Sequence, residues 1–410
     1  MSNIIEYIYI IPIICLLEIS VWIISKKCIV KYKVDMTVGK NWFICATLMI
    51  VICVLVYFFF GGGIDTKCWV DTTQYYKNAL LISNNEIVLK DWISNQEWPP
   101  HIGYEVYLGF LFKIIGNNVF GACMINAYGA VFSAYLLFRI GLHLTTPNWS
   151  LKIASIYVLF PLLIHFSFYL LKDIFVLLLV ELIVFSFFEL LNKVCIKYIF
   201  ILAGSLTLLM FFRSFYVLFL ILWIAIAIFN KEKQSVLKRL LFSVLAIAVF
   251  AILITVLGML NFNIGYTLGG KDSFLDFLPE MRVSLNWVSL SQFLGLVFSH
   301  RSQFILCSIK EILRIFVGPF FWLHPGNFVY FQSTGRFILF ENLTSIYLIC
   351  MLVWRIASFR RISKGYEAKC LRYLVLIFVI SLLFVGDVRW RLSLMPYYVV
   401  LLMQRDSKRN

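Results

Sequence analysis

The feature that most limits what this chain can fold into is a run of apolar stretches about twenty residues long, recurring from one end of the sequence to the other with short polar breaks between them. Stretches of that length suit α-helices that cross a hydrocarbon core, where every backbone N–H and C=O must be satisfied within the helix itself. Composition closes the soluble alternative: 62% of the residues are hydrophobic, 14% are charged and the mean hydropathy is +0.90, so too little polar surface exists to cover a water-soluble fold.

The sequence therefore predicts an all-α, polytopic transmembrane bundle, residues 1–410 forming a single integral-membrane domain. Apolar periodicity places helices near 4–25, 41–61, 118–140, 152–170, 174–191, 198–212, 214–230, 240–260, 337–357, 370–386 and 392–404, about eleven crossings in all. The count becomes about thirteen if 288–325 folds as a helical hairpin; His300, Arg301, Lys310, Glu311 and Arg314 interrupt that region, which suits an interfacial segment equally. The N-terminal run, which carries Glu6 and Glu18 and exceeds the length of a signal core, reads as a retained helix.

The formal net charge of +15 does not point to nucleic acid, because Lys and Arg cluster in short breaks between apolar runs and form no basic, aromatic-interleaved face. Orientation and anionic membrane lipids account for it. Segments 26–40, 231–239 and 355–372 hold the strongest basic clusters and are expected in the cytoplasm, which puts the N-terminus outside and Arg405, Lys408 and Arg409 inside. The external side then receives two long loops, about 62–103 and 261–336, and most of the carboxylates. The ten cysteines lie mostly in apolar runs without a CxxC pair, which suits buried small hydrophobes and points to no metal site; Cys68, in a polar loop, is the exception.

Four places could carry chemistry. Asp71 and Tyr75 stand four residues apart, so a short interfacial helix would set them on one face. The carboxylate there suits a general base or a divalent-cation ligand, and equally a helix cap. His101 and Glu105 follow Pro99 and Pro100 into an apolar segment; the imidazole suits a proton shuttle, the prolines an ordinary helix entry. Lys172 and Asp173 separate two apolar stretches. Burying a charge at mid-bilayer costs about 2.5–3.5 kcal/mol, so an external hairpin turn is expected there, and Arg213 punctuates the next outward hairpin in the same way. Arg389 and Arg391 flank Trp390 at the start of the last apolar run, where guanidinium forks suit a lipid-linked phosphate or simply snorkel to the interface.

These positions together resemble the GT-C class of integral-membrane glycosyltransferases, including the O-antigen and exopolysaccharide polymerases. The likeness rests on Asp71-x-x-x-Tyr75-x-x-x-Ala79, on Gly121 to Leu142 with Asn126, Gly129 and Arg139 followed by Pro161 and Lys172-Asp173, on Arg213, and on Arg389-x-Arg391-x-x-x-x-Pro396. The resemblance implies a polyprenyl phosphate- or pyrophosphate-linked sugar donor, a glycan acceptor and polysaccharide-assembly proteins as partners, on the outer face of a bacterial inner membrane. It implies catalytic roles for Asp71, His101 and Asp173 and substrate-binding roles for Tyr75, Glu105, Lys172, Arg213, Arg389 and Arg391. No cofactor is required, with a divalent cation left open. The extra helix ahead of the aspartate loop and the lack of an appended soluble domain favour a polymerase over a monosaccharide transferase. The rival expectation is a flippase or transporter of lipid-linked oligosaccharide, for which Glu181, alone at mid-helix, is the one supporting charge.

Overall fold

The computed structural model describes residues 10–60, 63–64, 70–86, 102–230, 331–358, 365–385 and 389–404. The expected helix at 240–260, most of the second long loop and region 288–325 lie outside the described residues. The described residues form an all-helical bundle: α1 Ile11–Tyr32, α2 Met36–Phe60, α3 Val70–Ser83, α4 Ile102–Ile115, α5 Val119–Gly141, α6 Pro147–Val158, α7 Pro161–Ser167, α8 Asp173–Asn192, α9 Ile196–Phe229, α10 Phe331–Ala357, α11 Tyr366–Val385 and α12 Arg389–Met403.

Four helical segments among these residues are long and apolar enough to cross a membrane: Met36–Phe59, Val119–Gly141, Asp173–Asn192 and Ile196–Arg213. A fifth arises if α6 and α7, bent by 57° at their junction, count as one span. Pro161 explains that bend, since it has no N–H to continue the α6 hydrogen-bond ladder. Many large apolar side chains are left on the outside, among them Leu55, Phe110, Phe200 and Phe211. An apolar exterior of this kind needs lipid as its solvent, and the protein is a helical membrane protein.

Two ends of the bundle can be followed through contacts. At the lower end Asp35, in the turn between α1 and α2, pairs with Asn148 at the start of α6, and Arg139 at the end of α5 pairs with Glu189 at the end of α8. At the upper end Gly63, just beyond α2, exchanges backbone hydrogen bonds with Phe168 and Leu170, between α7 and α8. Gly63 holds φ +94°, and a Cβ there would lie 2.5 Å from Val119 Cγ1, so conformation and crowding both call for glycine.

α9 reverses direction at Arg213, whose backbone is extended (φ −158°, ψ 86°). Arg213 meets Asp173 at the top of α8, yet Tyr198 packs on Phe185 and Trp223 on Phe187 further down α8. With a rise of about 1.5 Å per residue, a straight helix cannot place both 198 and 223 at that lower level. The hairpin expected at Arg213 is thus present as two antiparallel halves.

Two expectations need adjustment. α1 runs to Tyr32, so Lys26, Lys27 and Lys31 sit on its last turns and not in a loop; Lys26 folds back over Trp22, its Nζ 4.0 Å from the ring centroid. Helix α4 has no counterpart among the expected helices. It spans fourteen residues, about 21 Å, short of the length that crosses a hydrocarbon core.

Candidate active site at the upper end

The short helices α3 and α4 pack on each other along their length, and α4 also rests on the turn of α9. Gly103 makes the second contact: a Cβ there would lie 2.7 Å from the backbone oxygen of Phe211. Gly109 makes the first, with Ile82 where its Cβ would be. Neither helix is among the candidate membrane spans, and together they cap the upper end beside the α7–α8 and α9 breaks.

Beneath this cap five of the residues marked out in the sequence come together. Lys172 and Asp173 do separate two helices, as expected, but they are not a solvated turn: they are 1% and 4% exposed. The physical reason is partnership. Arg213 donates from Nη2 to Asp173 Oδ1 at 3.2 Å, and Lys172 Nζ lies 5.9 Å from the centre of the Tyr75 ring, so these charges have partners inside the bundle end. Tyr75 packs edge-on against Tyr104, with ring centres 5.1 Å apart.

Glu105, 2% exposed, accepts a hydrogen bond from Asn78 Nδ2 at 2.9 Å. Burial pushes its carboxyl up to about 7, against the smaller opposing effects of the Asn78 hydrogen bond and the Lys172 charge. A carboxyl poised there can take or give a proton near neutral pH.

The floor of the site is aromatic and amide. Tyr107, Phe175 and Phe212 ring Tyr104, and Asn126 donates to the Tyr169 carbonyl at 2.9 Å, which fixes the irregular backbone leading into Lys172. Freed from helical pairing at breaks on both α8 and α9, the chain presents two cations and a carboxylate from helix ends.

The other marked residues are placed as follows. Asp71 is half-buried in the first turn of α3, one turn before Tyr75. Arg391 is 2% exposed at the upper end of α12, a helix that packs on α8. Arg389 opens α12, though its side chain is outside the description, as is all of His101.

Two contributors went unmarked in the sequence. Asn78 lies in the same motif as Asp71 and Tyr75, and its signal was the seven-residue spacing that puts an amide on one side of a short helix. His165, fully buried on α7 among Phe166, Phe168, Tyr169 and Phe340, was visible only as an ionisable residue within an apolar run. No group of His, Cys, Asp and Glu that could hold a metal occurs among the described residues.

Compared with protein-family models, curated protein sequences and solved structures, the chain has no match.

Proposed function

We propose that the protein is a membrane glycosyltransferase of polysaccharide-polymerase type, joining a polyprenyl phosphate- or pyrophosphate-linked sugar to a glycan acceptor at the outer face of a bacterial inner membrane. In this reading the upper end faces outward, the N-terminus is outside, the C-terminus is cytoplasmic and the chain crosses about eleven times. The observation that carries it is the buried set of Lys172, Asp173, Arg213 and Glu105 under a two-helix cap. Cations at this level suit the phosphate of a donor whose lipid tail stays in the bilayer.

The step is a displacement at the anomeric carbon. The acceptor hydroxyl oxygen bonds to that carbon as its proton passes to Glu105 or Asp71. The bond to the donor phosphate breaks with its electron pair going to the phosphate oxygen, which Lys172 and Arg213 stabilise. Arg391 extends the positive rim, and Tyr75 supplies aromatic lining for a sugar ring.

Export of lipid-linked oligosaccharide is the second reading, favoured by one observation: Glu181 is wholly buried midway along α8. Purified protein in vesicles, given a polyprenyl pyrophosphate-linked oligosaccharide, separates the two. Elongated glycan from the wild type, and none from Arg213→Met or Asp173→Asn, is expected. Transbilayer movement of the substrate without elongation would reject the transferase.

A further inference from the structure

Eight residues below Asp173, about 12 Å along α8, lies Glu181, in the middle of the bundle and apart from the upper site. It is 0% exposed. The side chains that face it come from three other helices: Ser133 of α5 meets its carboxyl, while the phenols of Tyr157 of α6 and Tyr397 of α12 lie within its electrostatic reach. Those three are also 0% exposed. The titratable groups in this set are Glu181 and the two tyrosines; none of the three ion pairs among the described residues involves Glu181.

Ser133 interacts with the Glu181 carboxyl and with the Tyr157 phenol, but neither contact has full hydrogen-bond geometry: both carboxyl oxygens of Glu181 and the hydroxyls of Ser133, Tyr157 and Tyr397 are buried without a well-formed hydrogen bond among the described residues. An unsatisfied buried polar atom is costly, and a carboxylate with three orphaned hydroxyls from three other helices around it is more so. An apolar bundle would be better served by Leu at 181 unless the oxygens have something to hold.

Charge decides what that is. One carboxylate neutralises one positive charge, and a divalent ion would leave a net charge buried at mid-bundle. Oxygen donors of carboxylate and hydroxyl type select a hard cation. We infer that Glu181, Ser133, Tyr157 and Tyr397 form an internal site for a single monovalent cation, sodium or a proton.

The test is thermal unfolding of the purified full chain in detergent, in sodium chloride against choline chloride at fixed ionic strength, at about pH 6 and about pH 8. A saturable rise of the midpoint with sodium, absent in Glu181→Gln, establishes a sodium site. A rise on acidification that is the same in choline, again absent in Glu181→Gln, establishes a proton site. In either case Tyr397→Phe should weaken occupancy about tenfold, the loss of one oxygen contact. If neither ion separates wild type from Glu181→Gln, the inference is overturned. Should that variant fail to fold, carbodiimide labelling of Glu181 in the wild type decides: labelling slowed by sodium or by alkaline pH supports the site, and labelling indifferent to both overturns it.

Discussion

The two ends of the bundle each hold an ion pair between helices, but they are built differently. At the lower end Arg139 and Glu189 meet at 2.7 Å with 17% and 22% of their side chains exposed, both from within regular helices, and Arg139 also lies over the Tyr32 and Phe185 rings. At the upper end Arg213 and Asp173 meet at 3.2 Å with 11% and 4% exposed, one at a break in α9 and the other in the first turn of α8. The lower pair ties two helix ends together, as regular helices allow. Extra cost has gone into the upper pair, in burial and in broken helical pairing, and a second buried cation stands beside it. Cost of that kind is expected where a site has to bind something.

The comparison breaks most sharply on activity. Arg213→Met should reduce turnover of a polyprenyl-linked substrate by more than about a hundredfold, the scale of a lost charge-stabilising group, at unchanged membrane abundance. Arg139→Met, its counterpart below, should keep turnover within about threefold. Equal losses from the two would erase the distinction drawn between the ends.

The next largest effect concerns pH. Because burial raises the Glu105 carboxyl from 4.5 to about 7, the folded state binds more protons than the unfolded chain between those values. Stability is greatest below that window, falls as pH rises through it and levels off above about 7. Replacement by Gln should remove this slope and raise stability at alkaline pH by up to about 3 kcal/mol. A slope that persists in Glu105→Gln would place its origin elsewhere.

A smaller effect tests the seat of the cap. Gly103→Ala should lower stability by about 1–3 kcal/mol through overpacking against the Phe211 backbone, and weaken activity with it. The smallest belongs to the lower end: Arg139→Met should cost about 1 kcal/mol or less, since the pair is partly exposed and screened. Chemical denaturation followed by intrinsic fluorescence measures both.

Much of this was legible in the sequence along the bundle axis. Breaks at Lys172-Asp173 and Arg213 show as charges interrupting apolar runs, and the Asp71–Tyr75 spacing anticipates α3. Lateral order was not legible. That Asn78 would reach Glu105, that Gly63 would pair with the backbone around Tyr169, or that Asn126 would hold the Tyr169 carbonyl depends on which helices become neighbours, and apolar periodicity is nearly the same on every helix of a membrane bundle. The same uniformity hid the setting of Glu181: its residue type showed in the sequence, its three hydroxyl neighbours did not.

The claim on which the functional reading turns is that the upper cations hold a lipid-linked phosphate. Equilibrium binding of a polyprenyl phosphate to the purified protein, followed by tryptophan fluorescence in wild type, Arg213→Met and Arg139→Met, tests it most directly. Affinity should fall at least about tenfold in Arg213→Met and stay unchanged in Arg139→Met. Indistinguishable affinity in all three would contradict the assignment of the upper end as the site.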